Sequence, residues 1–506
     1  MTAPAAELRG ISKSFGATAA LRDVSLVLER GAVHGIVGEN GAGKSTLMNI
    51  LYGTYAPDAG EIRVKGTAVR LRHPADAIAR GIGMVHQHFM LVERMTVLEN
   101  LMLAPEGGAR LGAAAARARA TIARFAEEYG LAVDPDAVIE DLPVGVQQRV
   151  EIIKALHRGA EILILDEPTA VLTPQETAHL FHILHSLADA GTSVVLVTHK
   201  LREIMAVTDR VSVMRRGSVV AEMPTLETDE NQLAELMVGR EVDLRIEKPP
   251  LTRGAPMLEV DGLRFRDAQG RKRLRDIGLT VHRGEIVGIA GIAGNGQSEL
   301  LAALAGLLIP DAGALRLDGA DMTGLDAGAR RRLGIGHIPE DRLLMALVPE
   351  FTAAESALLG DQREAWCGTG PFLWHKAIAA RTAASMRDYD IRPPDPRLRT
   401  AAFSGGNQQK LVCAREMERH PKLLLVGQPT RGVDIGAIEL IHRRLLALRE
   451  AGCAILAVSV ELDEIRALAD RILVMADGAI VGEVPAQANE RELGLLMADI
   501  RAEPAS

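Results

Sequence analysis

The run Gly38-Glu39-Asn40-Gly41-Ala42-Gly43-Lys44-Ser45-Thr46 fits the spacing GxxxxGK[ST], whose residue types suit phosphate. Glycines let consecutive backbone N–H groups curl around phosphate oxygens, and the helix that follows adds the positive end of its dipole. Lys44 is expected to reach the β- and γ-phosphates, and Ser45 to hold Mg²⁺. The plainer alternative is a glycine-rich turn with an incidental lysine; the flanking strand and helix favour phosphate. Further on, the apolar stretch Ile162–Leu165 delivers Asp166 and Glu167. Read with the loop, Asp166 belongs in the magnesium shell, and Glu167 is placed to polarise a water for in-line attack on the γ-phosphate. Read alone, the two acids are a helix cap and its neighbour. His199 closes another apolar strand, where a lone histidine is ordinarily structural or solvent-facing.

The elements that must position these groups occur twice. Gly291 follows Gly38 by 253 positions, as Glu340 follows Gln87, and GIGMVHQ matches GIGHIPE around the latter pair. Beyond this the register moves: Ser404 follows Pro143, Gln428 follows Glu167 and Val460 follows His199 by 261 positions. The added residues fall between Glu340 and Ser404, opposite the stretch from Gln87 to Pro143. Alanine- and arginine-rich runs such as Ala113–Arg124 read as surface helices there. Short apolar runs (HGIVG, EILILDEP, TSVVLVTH) alternate with helical segments, which predicts a parallel α/β sheet in each copy. The expected domains are residues 5–240 and 257–502. Residues 241–256, with the proline-rich and charged EKPPLTRGAP, are expected to form the linker.

Bulk properties narrow the function. A chain of 506 residues exceeds a single core. Aromatics at 3% disfavour a base-stacking platform, and a net charge of −8 disfavours a general nucleic-acid binder. There is no run of about 20 uncharged apolar residues to span a membrane, and MTAPAAELRG lacks a secretory pattern. Cys367, Cys413 and Cys453 are too few and irregular for a disulfide framework or a zinc site, so a reduced cytosolic setting is expected.

The order of loop, glutamine, glycine-rich signature, DEP and histidine resembles the ATP-binding subunits of ABC transporters, over nearly the whole chain and in both copies. Phe403-Ser404-Gly405-Gly406-Asn407-Gln408-Gln409 looks like that family's signature loop. The resemblance implies two tandem P-loop NTPase domains, each α/β with a RecA-like parallel-sheet core, a β subdomain and a helical insert. It implies head-to-tail pairing, each ATP lying between the phosphate loop of one copy and the signature of the other. Gln87 would be the lid glutamine that senses Mg²⁺ and the membrane partner, Glu167 the general base and His199 the γ-phosphate switch. Ser404, Gly405, Gly406 and Gln408 would contact the ATP held by Gly38–Thr46. Phe15 is either an adenine-stacking aromatic or a core phenylalanine.

The losses sort by composite site. The second copy has Gln297 for the lysine, Glu340 for the lid glutamine, Gly427 for the magnesium aspartate, Gln428 for the base and Val460 for the histidine. Gln428 is a neutral amide and takes no proton from water, and a glutamate at 340 would repel phosphates. The first copy's signature is Leu142-Pro143-Val144-Gly145-Val146-Gln147, without the serine and one glycine. One hydrolysing site follows, and one that binds nucleotide poorly or holds it without cleaving it. A second half that has decayed into mere packing is the rival, but it leaves Ser404-Gly405-Gly406 without purpose.

Within the family, a fused tandem ATPase resembles importers of simple sugars and nucleosides. QHFMLV from Gln87, AGNGQSEL from Ala293, IPEDR from Ile338 and QPTRGVDIGA from Gln428 look most like the nucleoside branch. The resemblance implies ATP and Mg²⁺ as cofactors and a peripheral position on the cytoplasmic face of the inner membrane. It also implies a separate integral permease, an extracytoplasmic lipoprotein receptor met only indirectly, no nucleic acid and no direct solute contact. The alternatives are the same machine importing a pentose, a soluble tandem ATPase acting on ribosomes or DNA, and a regulatory ATP-binding protein without a permease.

Overall fold

In the computed structural model the chain divides into two compact units, Met1–Val242 and Asp243–Ser506. The structure describes residues 3–16, 18–86, 89–103, 111–169, 172, 174–241, 248–250, 253–292, 294–433 and 435–497.

The first unit is built on a 6-stranded sheet in the order Ser218–Pro224, Arg210–Arg215, Val33–Gly38, Ser193–Val197, Ile162–Asp166, Ile82–Val85. All neighbours run parallel except the outermost pair, Ser218–Pro224 on Arg210–Arg215. Val33–Gly38, Ile162–Asp166 and Ser193–Val197 are buried at every position. Helices cover both faces of a parallel sheet, so its strands read as unbroken apolar runs rather than alternating ones. A 4-stranded antiparallel sheet, led by Thr18–Leu28 and Ala6–Phe15, makes a second layer. Its side chains Leu8, Ile11, Leu21 and Leu26 share one core with Leu47, Met48 and Ile164. The helices Val97–Met102, Leu111–Tyr129 and Val144–His157 form the insert.

The second unit repeats this plan. Its 6-stranded sheet runs Ile335–Ile338, Leu423–Gly427, Ala454–Val458, Ile286–Ala290, Arg471–Ala476, Ala479–Pro485. A 4-stranded sheet carries Lys272–His282 and Pro256–Arg266. The stretch expected as a linker is partly fastened to this unit: Lys248 Nζ donates to the Ala469 carbonyl at 2.5 Å, and Arg449 donates to the Pro249 carbonyl at 3.2 Å. The three cysteines are buried and free.

Candidate functional site

Strand ends in the first unit bring the chemistry together. Val33–Gly38 runs into the glycine loop, and helix Lys44–Leu51 starts from Gly43, whose φ of 102° favours glycine. Two glycines are also required by crowding. A Cβ on Gly38 would lie 2.3 Å from the Met214 carbonyl oxygen, and one on Gly43 would lie 2.8 Å from that of Ala20. Around Gly41 there is open space, so the loop presents bare backbone outward. Glu39, Asn40 and Ala42 complete the turn, and Thr46 lies in the first turn of the helix.

Lys44 is buried and donates to the carbonyls of Gly38 at 2.6 Å and Glu39 at 3.1 Å. Burial pulls its ammonium below the usual range, opposed by Glu167, Asp166 and Glu39. Ser45 Oγ donates to Asp166 Oδ1 at 3.4 Å. Burial raises the Asp166 carboxyl, against the Ser45 hydrogen bond. Two hard oxygens side by side beneath a glycine cradle that a Cβ would fill suit a Mg²⁺-bound polyphosphate.

Glu167 follows directly, in a left-handed backbone turn (φ 50°) unusual for a glutamate. The turn is fixed by its N–H, which donates to the Val197 carbonyl at 2.8 Å. Its Oε1 lies 3.0 Å from His199 Nδ1. The His199 hydrogen bond holds the Glu167 carboxyl below the usual range while burial pushes the other way. The structure therefore joins Lys44, Ser45, Asp166, Glu167 and His199 in one cluster. Gln87 lies outside the described residues.

The signature segment of the second unit opens the helix Gly405–Met417 with Ser404 at its N-cap. Asn407 Nδ2 donates to Ser404 Oγ at 2.9 Å, holding the hydroxyl over the helix start. A Cβ on Gly405 would lie 2.4 Å from Arg342 Nη2, and Gly406 is buried in the first turn. Gln408 points inward: its amide donates to the Thr400 carbonyl at 2.9 Å. Gln147 does the same in the first unit, donating to the carbonyls of Ile139 and Leu142. Gln408 thus holds its helix against the preceding turn. The glutamines after them, Gln148 and Gln409, donate to the carbonyls of Pro168 and Pro429 at 2.8 and 3.1 Å, tying each signature helix to the adjacent catalytic-strand end.

Several contributors were missed from sequence. Glu203 is buried and accepts from Thr169 Oγ1, and from Thr198 Oγ1 at 3.1 Å, bracing the segments that carry Glu167 and His199. Asn407 was read only as part of the signature, without its hold on Ser404, and Ser298 escaped notice; the internal alignment, which sets Ser298 on Ser45, was the signal for the latter. Phe15 is no core residue: it is 44% exposed and meets Tyr55 edge to face at 5.3 Å.

A cavity of about 400 Å³ opens in the first unit beside His86, the residue before Gln87. Ile78, Ala155 and Met90 line it, and Lys154 Nζ donates to the Met90 carbonyl at 2.6 Å. In the second unit the internal alignment puts Arg331 and Glu416 in the places of Ile78 and Ala155. Arg331 Nη1 donates to Glu416 Oε2 at 2.7 Å, and Arg415 Nε to Glu416 Oε1 at 2.8 Å. The small apolar lining is there replaced by a buried ionic cluster.

A family model described as ABC transporter matches residues 21–170 and 274–431. The nucleoside import ATP-binding protein of Lactococcus lactis subsp. cremoris is 45% identical over 96% of this chain and 96% of its own length. The guanosine import ATP-binding protein of Bacillus subtilis is 46% identical over 97% of each chain. The glucose import ATP-binding protein of Haloferax volcanii is 42% identical, covering 98% of this chain and 96% of its own. With the duplicated glycine loops and signature segments already in place, the match over both copies is decisive: the chain belongs to the ABC transporter family.

Proposed function

We propose that this chain is the ATP-hydrolysing subunit of an importer that takes up nucleosides through a separate membrane permease. The observation that carries the enzymatic part is Glu167 Oε1 at 3.0 Å from His199 Nδ1, in the same cluster as Lys44 and Asp166. Nucleosides are favoured by the relatives of Lactococcus lactis and Bacillus subtilis. The glucose-importing relative supports a second reading, a sugar such as a pentose moved by the same machine.

The residues divide the work. The backbone N–H groups of 38–46 bind phosphate, and Lys44 leaves the loop carbonyls to reach the β- and γ-phosphates. Ser45, Asp166 and Gln87 would hold Mg²⁺, which supplies charge neutralisation on the phosphates when bound. Glu167, kept ionised by His199, accepts a proton from the attacking water, and His199 orients that carboxylate. Ser404, Gly405 and Gly406 are assigned to the same ATP on the strength of the family resemblance, with Gln408 positioning their helix. Gln428 in the second copy has no proton-accepting charge, so its nucleotide stays uncleaved.

We assign the cavity beside His86 to the permease, as the place where closure is passed on. Among the described residues no helix is long and apolar enough to cross a membrane. In this reading the chain sits on the cytoplasmic face, and the receptor lipoprotein contacts only the permease. The test is uptake of labelled nucleoside and labelled pentose in cells lacking the gene, complemented with wild type or Glu167→Gln. Nucleoside uptake restored only by wild type supports the proposal. A response of pentose alone replaces the solute, and no response of either removes the transport role.

A further inference from the structure

Helix Leu201–Val207 of the first unit is pressed onto strand Val33–Gly38: a Cβ on Gly35 would lie 2.6 Å from Ile204 Cδ1 and 3.0 Å from Thr208 Cγ2. Glu203 rides on that helix, buried, and each of its oxygens takes a different hydroxyl. Oε1 accepts from Thr169 Oγ1, just past Glu167, and Oε2 accepts from Thr198 Oγ1 at 3.1 Å, immediately before His199. Thr198 Oγ1 also accepts from the Lys200 N–H at 3.1 Å, so the chain is pinned on both sides of His199. Burial pushes the Glu203 carboxyl up, and Lys200, 3.7 Å away, and the two hydroxyls oppose this. The second unit keeps hydroxyls and a carboxylate at the matching places, Thr430, Ser459 and Glu464, and packs its helix in the same way, Gly288 against Ile465. Ser459 Oγ still accepts from the Glu461 N–H at 3.1 Å. Glu464 has left the bridge. Its Oε1 lies 3.2 Å from His442 Nε2, and its Oε2 has no hydrogen-bond partner among the described residues. His442 stands where the first unit has Phe181, which offers no such partner.

We propose that Glu203 is a positioning residue for ATP hydrolysis, its carboxylate setting the separation of Glu167 and His199 that the reaction uses. This rests on reading Glu167 as the base. The two catalytic side chains sit on separate strand-end turns, and a single carboxylate bonded to both turns makes two independent placements into one. A misplacement of about 1 Å at a reacting group is enough to cost about 100-fold in rate. Among the described residues the Glu203 hydrogen bonds go to these two turns and not to the glycine loop, so the bridge acts on the chemical step and leaves ATP binding to the loop. The second unit supports the assignment. There the base has become Gln428 and the histidine Val460, and the bridge between their turns is undone although its residue types remain.

Steady-state ATP turnover of the full chain tests this through the split between kcat and KM. Glu203→Ala should lower kcat by about tenfold or more and leave the KM for ATP within about twofold. Glu203→Gln, which can accept from one hydroxyl and donate to the other, should recover most of that loss. Thr169→Val and Thr198→Val each cut one arm without emptying the site, and so keep the test open where Glu203→Ala does not fold. Each should lower kcat. Because one arm alone bridges nothing, the two together should cost little more than the worse single variant. Glu464→Ala, at an equally buried position in the second unit, should leave kcat within about twofold of wild type. Wild-type kcat in Glu203→Ala or Thr198→Val, a KM that rises in step with the fall in kcat, or an equal loss in Glu464→Ala overturns the assignment. Turnover lost in Glu167→Gln but kept in Glu203→Ala overturns it while sparing the base. A wild-type chain without turnover overturns both.

Discussion

Glu167 and Gln428 occupy the same left-handed turn, at φ 50° and 49°, each with its N–H donating at 2.8 Å to the carbonyl of an adjacent strand (Val197 and Val458). The backbone that presents a base is kept in both copies, and only the first retains the carboxylate. Opposite Glu167 stands His199. Gln428 Oε1 instead accepts from the N–H of Val460, at 3.4 Å. A left-handed non-glycine residue is costly, on the order of 1 kcal/mol or more, so its retention in the second copy marks a shared framework around a lost reaction.

The His199 contact sets the acid limit of turnover. Because the Glu167 carboxyl is held below the usual range, its stabilising hydrogen bond is complete above the ordinary carboxylate pKa and is lost as pH falls through the lowered value. In His199→Ala the acid limb of the pH–rate profile should move to higher pH, with the plateau reduced. A limb that stays put would detach the histidine from the base.

Gly38→Ala should destabilise the first unit by about 1–3 kcal/mol, the range for overpacking a tight site. The added methyl would lie 2.3 Å from the Met214 carbonyl oxygen, a backbone atom that has no rotamer to escape into. Urea unfolding checks this, and Gly41→Ala is the control for crowding: no atom lies within 4 Å of its Cβ, although its φ of 83° still adds some strain.

Glu416 lies fully within the second unit. Burial pushes its carboxyl up, and Arg415 and Arg331 more than offset this, holding it low. Glu416→Gln leaves Arg415 without its carboxylate and Arg331 with Asp361 alone, and should cost about 3–5 kcal/mol. A drop in the thermal midpoint, with first-copy ATP binding retained below it, is the expected outcome.

The cavity beside His86 is tested by filling it. Ala155→Trp should abolish co-purification with the permease while the isolated chain keeps its ATPase rate. A complex that survives the substitution would place the permease elsewhere.

The loops, strand-end carboxylates and duplication were legible in sequence because backbone-driven phosphate binding needs glycine at fixed spacing, and buried parallel strands leave unbroken apolar runs. What stayed hidden was side-chain direction. Gln408 was read as facing ATP, yet its amide turns inward onto the Thr400 carbonyl. Glu340 was read as repelling phosphate, yet it fills the space left by Gly427 and meets Ser298. The first pairing spans 8 positions and the second 42, and neither leaves a periodicity in the chain. Phe15, read from sequence as either an adenine-stacking aromatic or a core phenylalanine, is exposed, which removes the core reading.

ATP turnover of Glu167→Gln and Gln428→Ala, measured side by side in the full chain, tests the central claim most directly. A single hydrolysing site predicts a loss of about 100-fold or more for Glu167→Gln, the scale of a removed general base, and near wild-type turnover for Gln428→Ala. Equal losses in the two variants would contradict it.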